Sequence, residues 1–231
     1  MNGRPNPLKA VLLDAGNTLV CLDYDELARL LAAEGVVVST EQIARAEYAG
    51  RKAVNAEVQS RTKTSDTSRM RTYFGSILAA LEVEAVRIDP LLEAIRLGDR
   101  RTDRGLWRVV PAGTHRALET LKERGLIVGV ISNSDGRLAS LLDHVGLTPL
   151  LAFALDSSLV GAEKPDPRIF RMGLERAGVA PCEAVYVGDL YAIDVIGARA
   201  VGMDAILVDP LLSDERDCPR IRSVSELPAM V

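Results

Sequence analysis

The sequence predicts an α/β protein, a doubly wound parallel sheet with an all-helical unit inserted after its first strand. Three observations carry this. Five short runs are near-continuously apolar instead of alternating, the pattern of parallel strands covered on both faces. Helical patterns separate the later runs, so that right-handed strand–helix–strand crossovers follow. From about Val20 to Leu106 the periodicity is helical throughout, with no convincing strand.

Residues 8–13 form the first run, cut off by Asp14 and then by the turn formers Gly16 and Asn17. The inserted stretch holds candidate helices at 24–34, 41–59, 68–81 and 90–96. Thr40, Thr67 and Asp89 stand at N-cap positions and Pro90 at a first helical position. The remaining strands are expected at 126–131, 150–155, 184–187 and 205–208, and the helices between and after them at 113–124, 137–145, 167–177 and 192–201. Asp166 caps the third of these helices, which opens with Pro167. Residues 1–20 and 106–231 thus read as a Rossmann-like core, and 21–105 as the helical insertion.

The 231 residues suffice for such a core plus a smaller inserted unit, and 48% hydrophobic, 26% charged and 4% aromatic residues describe an ordinary globular chain. A net charge of -4 offers no basic surface for a nucleic-acid or membrane partner. Cys21, Cys182 and Cys218 are far apart and show no paired spacing, so they read as free thiols. Only Arg4 and Lys9 stand ahead of the apolar residues 10–13, which are too few for a secretory signal, and no run approaches a membrane span. A cytoplasmic location is expected by default.

In an open parallel sheet, ligands bind beyond the carboxyl ends of the strands. The residues expected there are Asp14, Ser132, Asn133, Lys164 in its loop, Gly188, Asp189 and Asp194, all but the glycine polar. Any one aspartate at a strand end is usually a turn former or helix cap. Several such residues after separate strands, all on the ligand-binding edge, are poorly explained by chance. Three carboxylates at close quarters repel unless a cation sits among them, and Mg²⁺ suits an all-oxygen set, whereas no cysteine or histidine is placed for zinc. A carboxylate beside such an ion can attack phosphorus, with the hydroxyl, amide and ammonium neutralising the transferring oxygens.

The stretches KAVLLDAGNTLV, VGVISNS, GAEKPDPRIF and VYVGDLYAIDVIGARAVG resemble the four motifs of the haloacid dehalogenase-like hydrolase superfamily, in its order and spacing. The likeness covers residues 8–20 and about 105–209, and the insertion resembles that superfamily's cap domain. The motifs look like those of its phosphatase-type subgroup, which includes rhythmically-expressed-gene-2-like proteins. The resemblance implies Asp14 as nucleophile and Asp14, the Gly16 carbonyl and Asp189 as Mg²⁺ ligands, with Asp194 bound directly or through water. Ser132 and Lys164 would hold the phosphoryl oxygens, and the Thr18 hydroxyl would support the loop; the Asn133 amide, read above from the residues, is the further candidate to bind substrate. The implied substrate is a small phosphorylated metabolite.

Gly16 departs from the pattern, because the superfamily's phosphatases usually carry there an aspartate that protonates the leaving group and later activates water. Glycine keeps the carbonyl and removes the acid and base. Three functions are compatible with this. One is a phosphatase for leaving groups that need little protonation, or that draw the acid from elsewhere. Another is a dehalogenase- or phosphonatase-type reaction. Dehalogenases need no metal, however, and a phosphonatase needs a cap lysine, for which only Lys52 and Lys63 are available. The last is a catalytically weak metal-binding protein that binds a metabolite or partner. Arg71, Tyr73, Arg100, Arg101 and Arg104, with Trp107 nearby, are the polar candidates for specificity in or beside the cap. His115 and His144 read as structural.

Overall fold

The computed structural model describes residues 7–60, 66–101, 105–212 and 216–231. In chain order it contains β1 (Ala10–Leu13), β2 (Cys21–Leu22), α1 (Tyr24–Ala33), α2 (Thr40–Ser60), α3 (Asp66–Ala80), α4 (Ala85–Arg100) and β3 (Trp107–Val109). These are followed by α5 (Thr114–Glu123), β4 (Ile127–Ser132), α6 (Leu138–His144), β5 (Phe153–Asp156), α7 (Ser157–Val160) and α8 (Pro167–Ala177). The chain then forms β6 (Ala184–Gly188), α9 (Ile196–Arg199), β7 (Asp204–Val208) and β8 (Arg220–Ile221). It divides into two compact units, one of Met1–Cys21 and Val109–Val231, the other of Leu22–Arg108.

The first unit is built on a six-stranded parallel sheet in the order β5-β4-β1-β6-β7-β8. The chain winds outward from β1 to one edge through β4 and β5, then to the other through β6, β7 and β8. The switch point therefore lies at β1, where Leu13 is in register with Val130 and Val187. All residues of β1 and β6 are buried, so a continuous apolar run is what these positions demand. Ala10, Leu12, Tyr186, Ala205 and Leu207 share one cluster with Ile169, Phe170 and Leu174 of α8 and Ala198 of α9. Pleating sends the alternate residues, such as Val11, Leu13, Val185 and Val187, to the other face.

In the second unit, α1 to α4 bury Leu27, Leu31, Ile43, Ile77, Leu78, Leu91 and Ile95. Gly50 of α2 lets α3 approach closely, since a Cβ there would lie 2.9 Å from the Tyr73 carbonyl oxygen. The three rings of Tyr73, Phe74 and Trp107 pack with centroids 5.2 to 5.7 Å apart.

Several expected boundaries differ from the structure. The cap of α2 is Ser39, one residue before Thr40: its hydroxyl accepts from the Gln42 amide while the Gln42 side chain accepts from the Ser39 amide. α3 starts at Asp66, ahead of the expected Thr67 cap. α4 begins at Ala85 and contains Pro90 in its interior, so Asp89 and Pro90 do not mark a helix start. Packing of Leu91 and Ile95 outweighs the amide that Pro90 withholds. The strand expected at 150–155 is shorter, because Thr148–Leu150 forms a 3₁₀ turn around Pro149 and β5 begins at Phe153. The helix expected at 192–201 is a π turn, Tyr191–Val195, leading into α9. The short β2, β3, β8 and α7 were not legible from periodicity, being at most four residues long.

Candidate active site at the strand ends

Asp14 follows β1 directly and is anchored by its backbone amide, which donates to the Val187 carbonyl at 2.8 Å. The following turn holds Asn17 at a left-handed φ of 52°, and the Leu19 and Val20 amides both donate to the Ala15 carbonyl at 2.9 Å. Gly16 lies in this turn, half-buried. Thr18 is buried, and its hydroxyl has no hydrogen-bond partner among the described residues.

Lys164 joins the strand ends. Its ammonium, 2% exposed, donates to Asp14 Oδ1 at 2.6 Å, Asp194 Oδ1 at 2.8 Å and the Tyr186 hydroxyl at 2.9 Å. A lysine has three N–H donors, and these three acceptors match them one for one. Asn133 fixes the loop that carries Lys164, its side chain donating to the Lys164 carbonyl at 2.9 Å and accepting from the Lys164 amide at 2.8 Å. Ser132, buried, ends β4 in register with Asp156 of β5.

Asp194 is placed by the π turn, and its Oδ2 accepts from the Leu190 amide at 2.9 Å. Gly188 makes room for it, since a Cβ on that residue would lie 2.3 Å from Asp194 Cγ. Gly188→Ala is accordingly expected to displace Asp194 and to cost about 1–3 kcal/mol of stability. Calorimetry checks this, and a variant as stable as the parent would contradict the close packing.

Carboxylate oxygens of Asp14, Asp189 and Asp194 all lie within 4.8 Å of one another, and all three residues are buried. Burial pushes the Asp14 carboxyl up to about 6, with Lys164 pulling it back and Asp194 adding to the rise. At Lys164 burial favours the neutral amine, but Asp14 and Asp194 outweigh it and hold the group well above the ordinary lysine value. Burial also carries the Tyr186 hydroxyl well above the usual phenol range, so it stays protonated.

Three carboxylates against one ammonium leave two negative charges in a buried site. The donors are all oxygen, so the cluster fits a hard divalent cation, and it lacks the nitrogen and sulfur ligands that zinc favours. Without a cation, folding raises the Asp14 value from 3.8 to about 6, so in that interval the folded state holds a proton that the unfolded chain releases. The stability this group contributes is full below 3.8 and is lost as pH rises through about 6. The loss amounts to about 3 kcal/mol. The thermal midpoint of chelator-treated protein should show this fall between pH 5 and 7.5, and Asp14→Asn should flatten it.

The residues named from the sequence therefore fall into place as follows. Asp14, Lys164, Asp189 and Asp194 come together, Asn133 holds the backbone of Lys164, and Ser132, Gly16 and Thr18 lie at the ends of β4 and β1. Sequence reasoning missed Tyr186 and Asp156. The Asp156 carboxylate accepts from the Gly136 and Ser158 amides at 2.9 and 3.0 Å, and Ser157 Oγ accepts from the Ser134 amide at 3.1 Å. Together they brace the loop after Ser132. The pair Asp156–Ser157 at the end of an apolar run was the available signal.

Among the polar candidates of the helical unit, Arg71 pairs with Asp89, and the buried Tyr73 hydroxyl donates to Glu47 Oε1 at 2.5 Å. Arg100, Arg101 and Lys52 are exposed. Arg104 and Lys63 lie outside the described residues. Sequence reasoning also missed the buried pair in which Arg51 Nε donates to Glu47 Oε1 at 2.8 Å. His115 bonds the Val145 carbonyl at 3.0 Å, and His144 lies in the last turn of α6. None of the three cysteines forms a disulfide, and no helix among the described residues is long and apolar enough to cross a membrane.

Residues 8–202 match the model of the haloacid dehalogenase-like hydrolases. Over 114 residues the chain is 46% identical to haloacid dehalogenase-like hydrolase domain-containing protein 3 of Mus musculus, a match covering 48% of this chain and 45% of that protein. The chain thus matches under half the length of that relative. Over 217 residues it is 31% identical to the ribulose-1,5-bisphosphate 5-phosphatase of Halopiger xanaduensis, covering 90% of this chain and 87% of that one. Its fold is similar to that of the magnesium-bound HAD-hydrolase YfnB of Bacillus subtilis, with a TM-score of 0.68 and 19% identity over 97% of this chain and 99% of that one. The family match spans both the sheet and the insertion, and on it the chain belongs to the haloacid dehalogenase-like hydrolases.

Proposed function

We propose that the protein is a Mg²⁺-dependent phosphohydrolase that acts on a small phosphorylated metabolite through an aspartyl-phosphate on Asp14. The observation that carries this is the buried cluster of Asp14, Asp189 and Asp194 bridged by Lys164. The name of the Halopiger relative supports phosphate-ester chemistry.

Asp14, Asp189, Asp194 and the Gly16 carbonyl are the groups assigned to hold Mg²⁺, which when bound would neutralise charge on the phosphoryl oxygens. The Asp14 carboxylate attacks phosphorus, and the ester oxygen leaves with the bonding pair. Water then attacks the acyl phosphate, releasing inorganic phosphate and restoring Asp14. Ser132 and Lys164 are assigned to the phosphoryl oxygens. For Lys164 this means redirecting an N–H that now reaches Asp14, so substrate binding and release of the nucleophile would be coupled. Asn133 keeps the lysine loop in place. Gly16 supplies no acid or base, which favours substrates whose leaving group departs unprotonated. The helical unit is assigned the part of a cap that sets specificity.

Hydrolysis of p-nitrophenyl phosphate with Mg²⁺ and with a chelator tests this. Turnover that requires Mg²⁺ is the expected result. Its absence at every Mg²⁺ concentration would overturn the assignment.

A further inference from the structure

We infer that Tyr186 is a positioning residue that aims the Lys164 ammonium, an inference that rests on the phosphohydrolase assignment. Tyr186 is fully buried in the middle of β6, among Ala184, Val185 and Val187. A phenylalanine would fill nearly the same volume, and a buried hydroxyl is unfavourable unless it is bonded. Here it is bonded twice. It lies 3.0 Å from the Ile131 carbonyl and 2.9 Å from Lys164 Nζ. A carbonyl and an ammonium leave no choice of direction: the hydroxyl donates its proton to Ile131 and accepts from Lys164.

The consequences concern both neighbours. Lys164 has a flexible four-carbon stem, and with Asp14 and Asp194 as its only acceptors the third N–H would be unpaired in a buried site. The hydroxyl supplies the third acceptor and so fixes the ammonium against Asp14, the attacking carboxylate. Through its proton it also ties this assembly to Ile131, the residue before Ser132. The ring is in turn held by Phe170, edge-on at 5.1 Å between centroids. One side chain thus links the end of β4 to the lysine loop.

The test is a double-variant cycle in Mg²⁺-dependent hydrolysis of p-nitrophenyl phosphate. Tyr186→Phe should lower kcat about 10- to 100-fold, because a small misplacement of a charged group is costly to rate, with KM changed by less than about twofold. In a Lys164→Met background the same substitution should add less than about twofold, since the group it acts through is gone. An equal factor in both backgrounds, or no effect in the parent, overturns the inference while leaving the phosphohydrolase assignment intact. Phe170→Leu loosens the ring but keeps the hydroxyl, and should lower the thermal midpoint while lowering kcat several-fold less than Tyr186→Phe does. If it lowers kcat as much as Tyr186→Phe, packing and not the hydroxyl is responsible. Should Tyr186→Phe alone fail to fold, the cycle is read in thermal midpoints. There the double variant should fold, losing relative to Lys164→Met only the bond to the Ile131 carbonyl, and a double variant that also fails to fold overturns the inference. A parent without Mg²⁺-dependent turnover overturns the assignment and this inference with it.

Discussion

Asp14→Asn is expected to lower kcat for p-nitrophenyl phosphate by about 10⁴-fold or more, the scale seen when a covalent nucleophile is removed. The substitution is nearly isosteric and leaves Lys164 its bonds to Asp194 and Tyr186, so the loss should come from chemistry and not from collapse of the site. An amide is not a competent nucleophile towards phosphorus, and it carries no charge to replace the carboxylate. Steady-state kinetics beside a melting curve separate the two causes. A folded Asp14→Asn protein retaining a tenth of the parent turnover would place the nucleophile elsewhere.

Gly16→Asp should have the opposite sign. Positioned general acid–base catalysis is worth about 10² to 10⁴ in rate, or roughly 3 to 5 kcal/mol of barrier. Restoring a carboxyl two residues after the nucleophile should therefore accelerate alkyl phosphates by up to about that factor. Aryl phosphates should gain far less, because nitrophenolate leaves without a proton. In the parent, the same reasoning predicts faster reaction of aryl and acyl phosphates than of alkyl phosphates, and a phosphoenzyme that persists for want of a neighbouring base. Equal parent rates on alkyl and aryl esters would mean that an acid arrives from another residue.

Much of the site was visible in the sequence because parallel strands buried on both faces cannot hide a polar residue. Asp14, Ser132 and Asp189 each interrupt or follow an apolar run at the edge where ligands bind, and the structure places them at or just beyond strand ends. Tyr186 was illegible for the complementary reason. It lies inside a strand, where an aromatic residue reads as packing, and its role depends on a hydroxyl reaching a lysine 22 residues earlier in the chain. Asn133 was visible as a polar residue, but its use was not: both ends of its amide are taken up by the Lys164 backbone, a contact that only the register of β4 and the lysine loop creates. The boundaries of the helical unit failed where a local signal competed with packing. At Pro90 the start signal was genuine in kind, but the apolar stripe through Leu91 and Ile95 continues the helix on both sides. The π turn at Tyr191–Val195 could not be read from a helical period, because its purpose is to bring Asp194 under Gly188.

Rapid acid quenching during turnover of p-nitrophenyl phosphate, followed by peptide mass analysis, addresses the covalent step itself. The account predicts one phosphoryl group on the peptide containing Asp14 when Mg²⁺ is present, and none with chelator or in Asp14→Asn. Sustained hydrolysis with no phosphorylated Asp14 peptide at any quench time would contradict it.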